Sequence, residues 1–164
     1  MVNRTINRTA GIYLYRFRLL AGRKIQIGRL GSFYFPAGWY IYAGSALNGL
    51  EARLRRHYFG PASSRPHWHV DYLFQFAVTK SFAVVLNDPQ GECRLNSAVA
   101  ALAGAGAPAA GFGSSDCRCT SHLHHLPGEL WPEFKGLLPW DPPKRIAAEG
   151  VPGKPRCREK YGLV

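Results

Sequence analysis

Acidic residues are scarce in this chain of 164 residues, which has ten Asp and Glu against 21 Lys and Arg. The formal net charge is +11, which favours a polyanionic partner over a small neutral ligand. Arginine far outnumbers lysine, and the guanidinium group suits two-pronged contacts with phosphate. Charge by itself also fits a protein that is merely basic, so the motifs must decide between these interpretations.

Long apolar runs are absent as well, since no stretch approaches the roughly 20 apolar residues of a membrane span. Residues 1–10 are polar and lack the apolar segment of a secretory signal, so we expect a cytoplasmic protein with no membrane partner. Wholesale disorder is excluded by an apolar content of 46% and an aromatic content of 13%. A chain of this length fits one domain with a substantial core.

Side chains that alternate with a period of two predict strands in the first third of the chain. Residues 11–20 and 24–30 flank a turn signal, which indicates a hairpin, and residues 39–45 give a third strand. Helical spacing of apolar residues predicts one helix over residues 47–58 and a second over residues 92–103. This pattern is typical of an α/β protein of the α+β type.

The rest of the chain divides into shorter segments. Further strands are predicted over residues 82–86 and 119–126. We expect a basic N-terminal arm over residues 1–10, a folded domain over residues 11–130, and a Pro-rich basic tail over residues 131–164. The tail is expected to be loosely packed or extended.

Two tyrosines, an arginine and a histidine form a set suited to phosphodiester cleavage. Tyr13 and Tyr42 fall on strands that we expect to pair, so their phenols can converge at one edge of the sheet. A nearby cation lowers the pKa of a tyrosine from about 10, and Arg53 supplies such a charge or grips a phosphate. His57 lies four residues beyond Arg53 on the same helix face and, with an ordinary pKa of about 6.5, can relay protons.

Each of these residues has a purely structural interpretation when it is taken alone. Strand tyrosines usually pack in the core, arginines on a helix usually form a solvated face, and a lone histidine is usually structural. The order and spacing of the set favour function, because the residue types that phosphate cleavage needs appear on elements able to present them.

Gly11-Ile12-Tyr13 and Tyr42-Ala43-Gly44, followed by Arg53 and His57, resemble the motifs of the GIY-YIG nuclease superfamily. The segments at residues 42–46, 67–71 and 111–117 resemble its little-characterised Uri-type branch. The resemblance implies a small three-stranded antiparallel sheet flanked by helices, here with extra strands and a C-terminal extension. The separation of Tyr13 from Tyr42 exceeds the usual short hairpin, which predicts extended strands or an insertion.

The resemblance also implies a metal-dependent DNA endonuclease and a role for each residue. Tyr13, Tyr42 and His57 would handle the attacking water and its proton, with the base left open, and Arg53 would stabilise the phosphorus centre. Glu92 would hold one Mg²⁺ or Mn²⁺ ion. Alternatively, Glu92 only favours the N-terminus of its helix through the helix dipole.

Basic and aromatic residues around this set are predicted to contact DNA, with RNA as an alternative. Contacts to backbone phosphates predict salt-sensitive binding with little sequence preference. Stacking of bases on Trp39, Trp68 and Tyr58 favours a structure-selective or single-strand-preferring enzyme. The predicted nucleic-acid-binding residues are Arg16, Arg18, Arg55, Arg56, Arg65, His67, Trp68 and His69. Among these, His67 and His69 alternate with Asp71 at strand spacing, which would put all three on one face, against DNA or around a transition metal.

The cysteines leave three interpretations open. Cys117-x-Cys119-x-x-His122 together with the distant Cys93 could form a tetrahedral zinc site, although this spacing is tighter than the usual C-x₂₋₄-C. We expect buried, inert thiols instead, and a disulfide to Cys93 is the third alternative. For the whole protein, the rivals of a nuclease are a non-catalytic nucleic-acid-binding module of the same fold and a zinc-stabilised interaction protein. The oligomeric state is left open.

Overall fold

The computed structural model describes residues 8–60 and 65–142, which form seven strands, two α-helices and two short 3₁₀ turns. The strands are β1 (Gly11–Leu19), β2 (Arg23–Ile27), β3 (Gly31–Phe35), β4 (Gly38–Ala46), β5 (Ala77–Leu86), β6 (Leu123–Leu126) and β7 (Leu138–Trp140). The helices are α1 (Leu50–Phe59) and α2 (Glu92–Ala100). The predicted α+β class and both predicted helices are therefore confirmed. In these two ranges no helix has the length and apolarity needed to cross a membrane.

Strand β1 lies at the centre of a five-stranded sheet with the order β6-β4-β1-β5-β7. Every pairing in this sheet is antiparallel. Tyr13 lies opposite Gly44 of β4, and Tyr15 lies opposite Tyr42. Because directly opposed residues share a face of the sheet, Tyr13 and Tyr42 are diagonal neighbours on the same face.

The predicted hairpin between residues 11–20 and 24–30 is wrong. Strand β2 pairs with β3 instead, in a separate two-stranded sheet, because both edges of β1 are occupied by β4 and β5. Ile27 and Phe35 of this hairpin are fully buried in the same cluster as Tyr13. The hairpin is the insertion that the long separation of Tyr13 from Tyr42 predicted.

The two helices pack on opposite faces of the five-stranded sheet. Leu50 and Leu54 of α1 join the cluster that contains Tyr13, Tyr15 and Phe17. Ile12 and Leu14, which point to the other face of β1, pack with Leu95 and Val99 of α2. Both faces of β1 are thus covered by apolar side chains, and all of its residues except Arg18 are buried.

The predicted strand spacing at residues 67–71 is also wrong, because His69–Tyr72 forms a 3₁₀ turn. The carboxylate of Asp71 accepts hydrogen bonds from the backbone N–H groups of His67 (2.8 Å) and Trp68 (3.1 Å). Such local bonds from a side chain to the backbone compete with strand pairing. The turn buries Asp71 but leaves His67 exposed, so these residues do not share one face.

The described part of the predicted C-terminal tail is docked on the domain through β7 and Trp140. Strand β7 pairs with β5, and Trp140 is 3% exposed. Its indole Nε1 donates a hydrogen bond of 2.8 Å to Oε2 of the buried Glu51 on α1. Most of the predicted N-terminal arm, the remainder of the tail and Cys157 lie outside the described residues.

We expect Trp140→Ala to lower the free energy of unfolding by about 3–5 kcal/mol, because it leaves a cavity and an unpaired carboxylate on Glu51. Urea denaturation measures this change. Leu138→Ala is the matched control, since Leu138 lies on the same strand but is 44% exposed and should lose far less. Equal effects of the two substitutions would contradict the packing of β7.

Candidate active site

A polar cavity of about 310 Å³ opens where four of the predicted catalytic side chains meet. Tyr13, Tyr42, Arg53 and Glu92 line it. The predicted DNA-contacting residues His67, Trp68 and His69 line the same cavity. Its wall is completed by four further residues, Ser45, Gly113, Ser115 and Asp116.

The position of Tyr13 depends on the glycine opposite it. A β-carbon at Gly44 would lie 2.5 Å from Cζ of Tyr13 and closer still to the hydroxyl group. The absence of a side chain therefore lets the Tyr13 ring lie against β4, with its centroid 6.3 Å from that of Tyr42. This contact explains why glycine follows the second tyrosine in Tyr42-Ala43-Gly44.

The fifth predicted catalytic residue, His57, lies behind Tyr13 and does not line the cavity. The Tyr13 hydroxyl is 2.8 Å from Nε2 of His57, and both side chains are buried. On the other side of the ring, Nδ1 of His57 is 3.8 Å from Oδ1 of Asp71, which is an electrostatic contact rather than a hydrogen bond. A tautomer with the proton on Nδ1 satisfies both neighbours, so that the Tyr13 hydroxyl donates to Nε2.

Burial decides the protonation of the phenols. We expected Arg53 to lower the pKa of a tyrosine, but burial raises the pKa of Tyr13 by more than the Arg53 charge lowers it. The pKa of Tyr42 is raised in the same way, by burial and by the neighbouring Tyr13. Both phenols are therefore protonated at neutral pH, and neither is a base on its own.

His57 is neutral at neutral pH. Burial lowers its pKa to about 3, against the opposing effect of the Asp71 carboxylate. Burial alone would raise the pKa of Asp71, but its hydrogen bonds from Arg56 and from the backbone of His67 and Trp68 lower it. The result is a neutral imidazole beside a charged carboxylate whose Oδ2 accepts three hydrogen bonds.

The guanidinium group of Arg53 stacks on Trp68 at the wall of the cavity. Its Cζ lies 3.8 Å from the indole centroid, and Nη1 donates to the carbonyl oxygen of Ser45 at 3.3 Å. Cation–π stacking of this kind holds the planar group, and a further hydrogen-bonding contact joins Arg53 to the Tyr13 side chain. Arg56 also approaches Trp68 but forms an ion pair of 2.7 Å with Asp71. Its positive charge therefore compensates the negative charge of the buried Asp71 carboxylate.

Glu92 is the first residue of α2 and is bonded to a histidine. Its Oε1 lies 2.7 Å from Nδ1 of His122. Glu92 thus uses one carboxylate oxygen to bind His122, and its side chain also lines the cavity. Asp116 brings a second, exposed carboxylate to the same cavity, so the oxygen donors match those that Mg²⁺ and Mn²⁺ prefer.

Other predicted residues do not reach the cavity. Arg16 is buried on the opposite face of the sheet and forms an ion pair of 2.7 Å with Glu129, and Arg18 lies on that face too. Trp39 contacts these two arginines, whereas Tyr58 packs against Phe82 and Trp140. Arg16, which is buried and paired, therefore leaves the set of expected phosphate contacts. Arg18, which is exposed, stays a prediction away from the cavity, as do Trp39 and Tyr58 for stacking. Arg55 and Arg65 are exposed and stay in the predicted DNA-binding set.

The predicted thiol cluster assembles next to Glu92. The Sγ atoms of Cys93, Cys117 and Cys119 and a ring nitrogen of His122 all lie within 4.8 Å of one another. All three cysteines are free and only half-buried, so the alternative of a disulfide is not realised among them and the expectation of buried thiols is wrong. The group could hold a metal ion.

Two residues of the site were missed in the sequence. Asp71 appeared only as one of three polar residues on a presumed strand, and Asp116 only within the segment at residues 111–117, without a role of its own. The signal for Asp71 was present in its position, three residues beyond Trp68, where a carboxylate can close a local turn onto the backbone. Nothing in the sequence pattern around Asp116 distinguishes it from an ordinary loop residue.

The fold and the site together define an α+β protein with a polar cavity that is lined by tyrosines from two neighbouring strands of an antiparallel sheet. Residues 12–135 match the family described as domain of unknown function DUF123, and the chain belongs to this family. The match includes the whole cavity, the His57–Asp71 contact and the thiol cluster. No curated protein and no solved structure matches the chain.

We expect Gly44→Ala to displace Tyr13 and to lower the free energy of unfolding by about 1–3 kcal/mol, because the new methyl group overlaps the buried ring. Gly106→Ala is the control, since a β-carbon there meets nothing within 4 Å. Urea denaturation and the near-UV circular dichroism of the tyrosines measure the two effects. A Gly44→Ala protein that matches Gly106→Ala in both measurements would contradict the close approach.

The protonation of His57 predicts a pH dependence of stability. Its pKa is about 3 in the folded protein and about 6.5 in the unfolded chain. As the pH falls below about 6.5, the unfolded chain therefore takes up a proton that the folded protein does not, and the free energy of unfolding decreases by up to about 1.4 kcal/mol per pH unit.

We expect His57→Gln to make the free energy of unfolding depend less steeply on pH between about pH 6 and pH 4, because it removes the contribution of His57. Urea denaturation at each pH measures this change. His67→Gln, at an exposed histidine that lines the cavity, should keep the wild-type slope. An unchanged slope in His57→Gln would show that the buried imidazole is charged in the folded protein.

Proposed function

We propose that this protein is a metal-dependent endonuclease that hydrolyses phosphodiester bonds of DNA. The observation that supports this most strongly is the Tyr13–His57 hydrogen bond of 2.8 Å behind a cavity that is also lined by Arg53 and Glu92. A phenol that is hydrogen-bonded to a buried proton acceptor, a cation and a carboxylate thus face one space large enough for a phosphodiester group. These are the groups that phosphoryl chemistry needs.

The resemblance to GIY-YIG nucleases is supported by the way the motif residues converge. Tyr13 and Tyr42 lie on neighbouring strands of the antiparallel trio β4-β1-β5, with Arg53 and His57 on the helix that follows. The long interval between the tyrosines is accounted for by the β2–β3 hairpin. Strands β6 and β7 extend this trio at its two outer edges.

Protons leave the attacking water through Tyr13 in this proposal. The phenol oxygen accepts a proton from water in the cavity while its own hydroxyl proton passes to Nε2 of His57. The phenol stays neutral throughout, which suits a group whose pKa is raised by burial. The resulting imidazolium is stabilised by Asp71, whose Oδ1 is 3.8 Å from Nδ1. His57 is then the base, and Tyr13 connects it to the water.

Arg53 neutralises charge at the phosphate. Stacking on Trp68 and the bond to the Ser45 carbonyl orient its guanidinium group, so little side-chain entropy is lost when a phosphate binds. Preorganised donors of this kind stabilise the charge that develops in the transition state.

Glu92 and Asp116 would hold the divalent metal ion, with water and phosphate oxygens as its remaining ligands. The oxygen of Glu92 that is not bonded to His122 is the one left for this role. When bound, Mg²⁺ or Mn²⁺ would act as a Lewis acid on the phosphate and stabilise the leaving oxygen.

The nucleic acid would lie across His67, Trp68 and His69, which line the cavity. Arg55 and Arg65 are exposed and would contact flanking phosphates, which predicts salt-sensitive binding. With Trp68 as the one predicted stacking residue at the cavity, an unpaired base next to the cleaved bond is favoured over a long duplex site.

Glu92→Gln and Glu92→Ala test the nuclease. We expect wild-type protein to cut labelled single-stranded, duplex or branched DNA with Mg²⁺ or Mn²⁺ and not with EDTA. Both variants should lose at least about 100-fold in rate while still binding DNA, because the carboxylate acts in the transition state. Glu133→Ala is the control, since it removes one exposed carboxylate elsewhere.

Tight binding without metal-dependent cutting of any substrate would contradict the nuclease and favour a non-catalytic nucleic-acid-binding module. Cutting that persists in both Glu92 variants would show that the activity comes from a contaminant or from another site. Tyr13→Phe gives an independent check, because it keeps the ring but removes the hydroxyl that we place between water and His57. We expect its rate to fall without a loss of DNA affinity.

A further inference from the structure

Three cysteines and one histidine from separate parts of the chain meet beside the cavity. Cys93 is the second residue of α2, Cys117 and Cys119 lie in the loop before β6, and His122 directly precedes that strand. Their four potential ligand atoms lie within 4.8 Å of one another. Among them, Sγ of Cys117 lies 3.4 Å from Nε2 of His122.

These separations are close to those of a tetrahedral zinc site. With Zn–S bonds of about 2.3 Å and a Zn–N bond of about 2.0 Å, neighbouring ligand atoms lie about 3.5–3.8 Å apart. The cluster needs to contract by only about 1 Å at its widest pair to reach this geometry. Three thiolates and one imidazole are also a common ligand set of structural zinc sites.

Apolar packing does not explain why these residues converge. All three cysteines are half-buried, and none of them belongs to either apolar cluster. Residues 101–122 connect α2 to β6 without a helix or strand of their own. So long an irregular connection is uncommon in a compact domain, and a metal that joins its last part, which carries Cys117, Cys119 and His122, to Cys93 in the first turn of α2 would hold it in place.

We propose that Cys93, Cys117, Cys119 and Nε2 of His122 bind one structural Zn²⁺ ion, and that this site positions Glu92 through His122. Zinc at Nε2 leaves the proton on Nδ1, which lies 2.7 Å from Oε1 of Glu92. Metal-bound histidines commonly donate their second N–H to a carboxylate in this way, which fixes the ring and the tautomer.

The site is distinct from the one at which we place Mg²⁺ or Mn²⁺. Four protein ligands leave no open position for water or substrate, so this zinc ion takes no part in the chemistry. Thiolates select zinc, whereas the oxygen donors of Glu92 and Asp116 select the harder ions. Glu92 connects the two sites, with one oxygen toward His122.

Metal analysis of the purified full-length chain, without nucleic acid, tests the ligand set independently of the proposed nuclease. We expect close to one zinc ion per chain in the wild type and in Cys157→Ser, and at least about a tenfold lower content in Cys119→Ser. Cys157 is the matched control because it is the one cysteine of the sequence that we do not propose as a ligand. A Cys119→Ser protein that keeps its zinc, or a Cys157→Ser protein that loses it, would overturn the assignment.

Cobalt titration of metal-stripped wild type covers the case in which Cys119→Ser fails to fold. We expect the visible absorption bands of tetrahedral Co²⁺–thiolate coordination, which zinc then abolishes by displacement. A wild-type protein that contains no zinc and gives no such spectrum would overturn the proposal whatever the variants do.

The connection to Glu92 has its own test, which uses zinc affinity rather than cleavage. Glu92→Ala should weaken zinc binding about 10–100-fold, because His122 loses the acceptor that orients it. Glu92→Gln offers an amide oxygen to the same N–H and should lose less. Equal zinc affinity in the wild type and Glu92→Ala would refute the positioning role and leave the zinc site intact. The effect of this positioning on cleavage rests on the proposed function.

Discussion

The register of β1 against β4 is the constraint on which the site depends. In this register Tyr13 lies opposite Gly44 and Tyr15 lies opposite Tyr42. Three aromatic rings therefore share one face of the sheet, and the Tyr13 ring lies directly against Gly44, which has no side chain. A slip of one residue would turn Tyr13 to the other face, where Leu95 and Val99 of α2 pack. Because β1 is paired on both edges and buried on both faces, few alternative registers can bury the same apolar surface.

Burial then determines how the charges of the site are arranged. A phenol and an imidazole that share a hydrogen bond inside a core are most stable when both are neutral, because the charged form of either one loses its hydration. Charge is placed instead at groups with several partners. Asp71 accepts hydrogen bonds from Arg56 and from two backbone N–H groups. Arg53 stacks on the indole of Trp68 at the wall of the cavity. The buried pair can therefore exchange a proton without the loss of a permanent ion pair.

The sequence predicted the elements whose patterns are local. Tyr13, Tyr42, Arg53 and Glu92 were found because they occur on predicted strands and helices at a recognisable spacing, and the structure brings all four to one cavity. Long-range pairing was beyond local patterns: nothing in residues 24–30 indicated β3 as their partner, and the three residues of β7 are too few for a periodicity. Arg16 was wrongly placed among the phosphate contacts on the basis of its charge. Period-two alternation in fact puts it on the face of β1 opposite Tyr13, away from the cavity.

The half-exposed position of Glu92 follows from the way α2 begins. The helix packs its apolar side on the face of the sheet away from Tyr13, and only its first turn reaches the cavity. Two successive residues of this turn, Glu92 and Cys93, therefore point toward different groups, the first to the cavity and the second to the thiol cluster. A carboxylate on a first helical turn would otherwise be free to choose among several rotamers. The bond from His122 removes that freedom at one oxygen while leaving the other exposed to the cavity. If both proposals hold, the thiol cluster would fix the one turn of α2 that reaches the cavity.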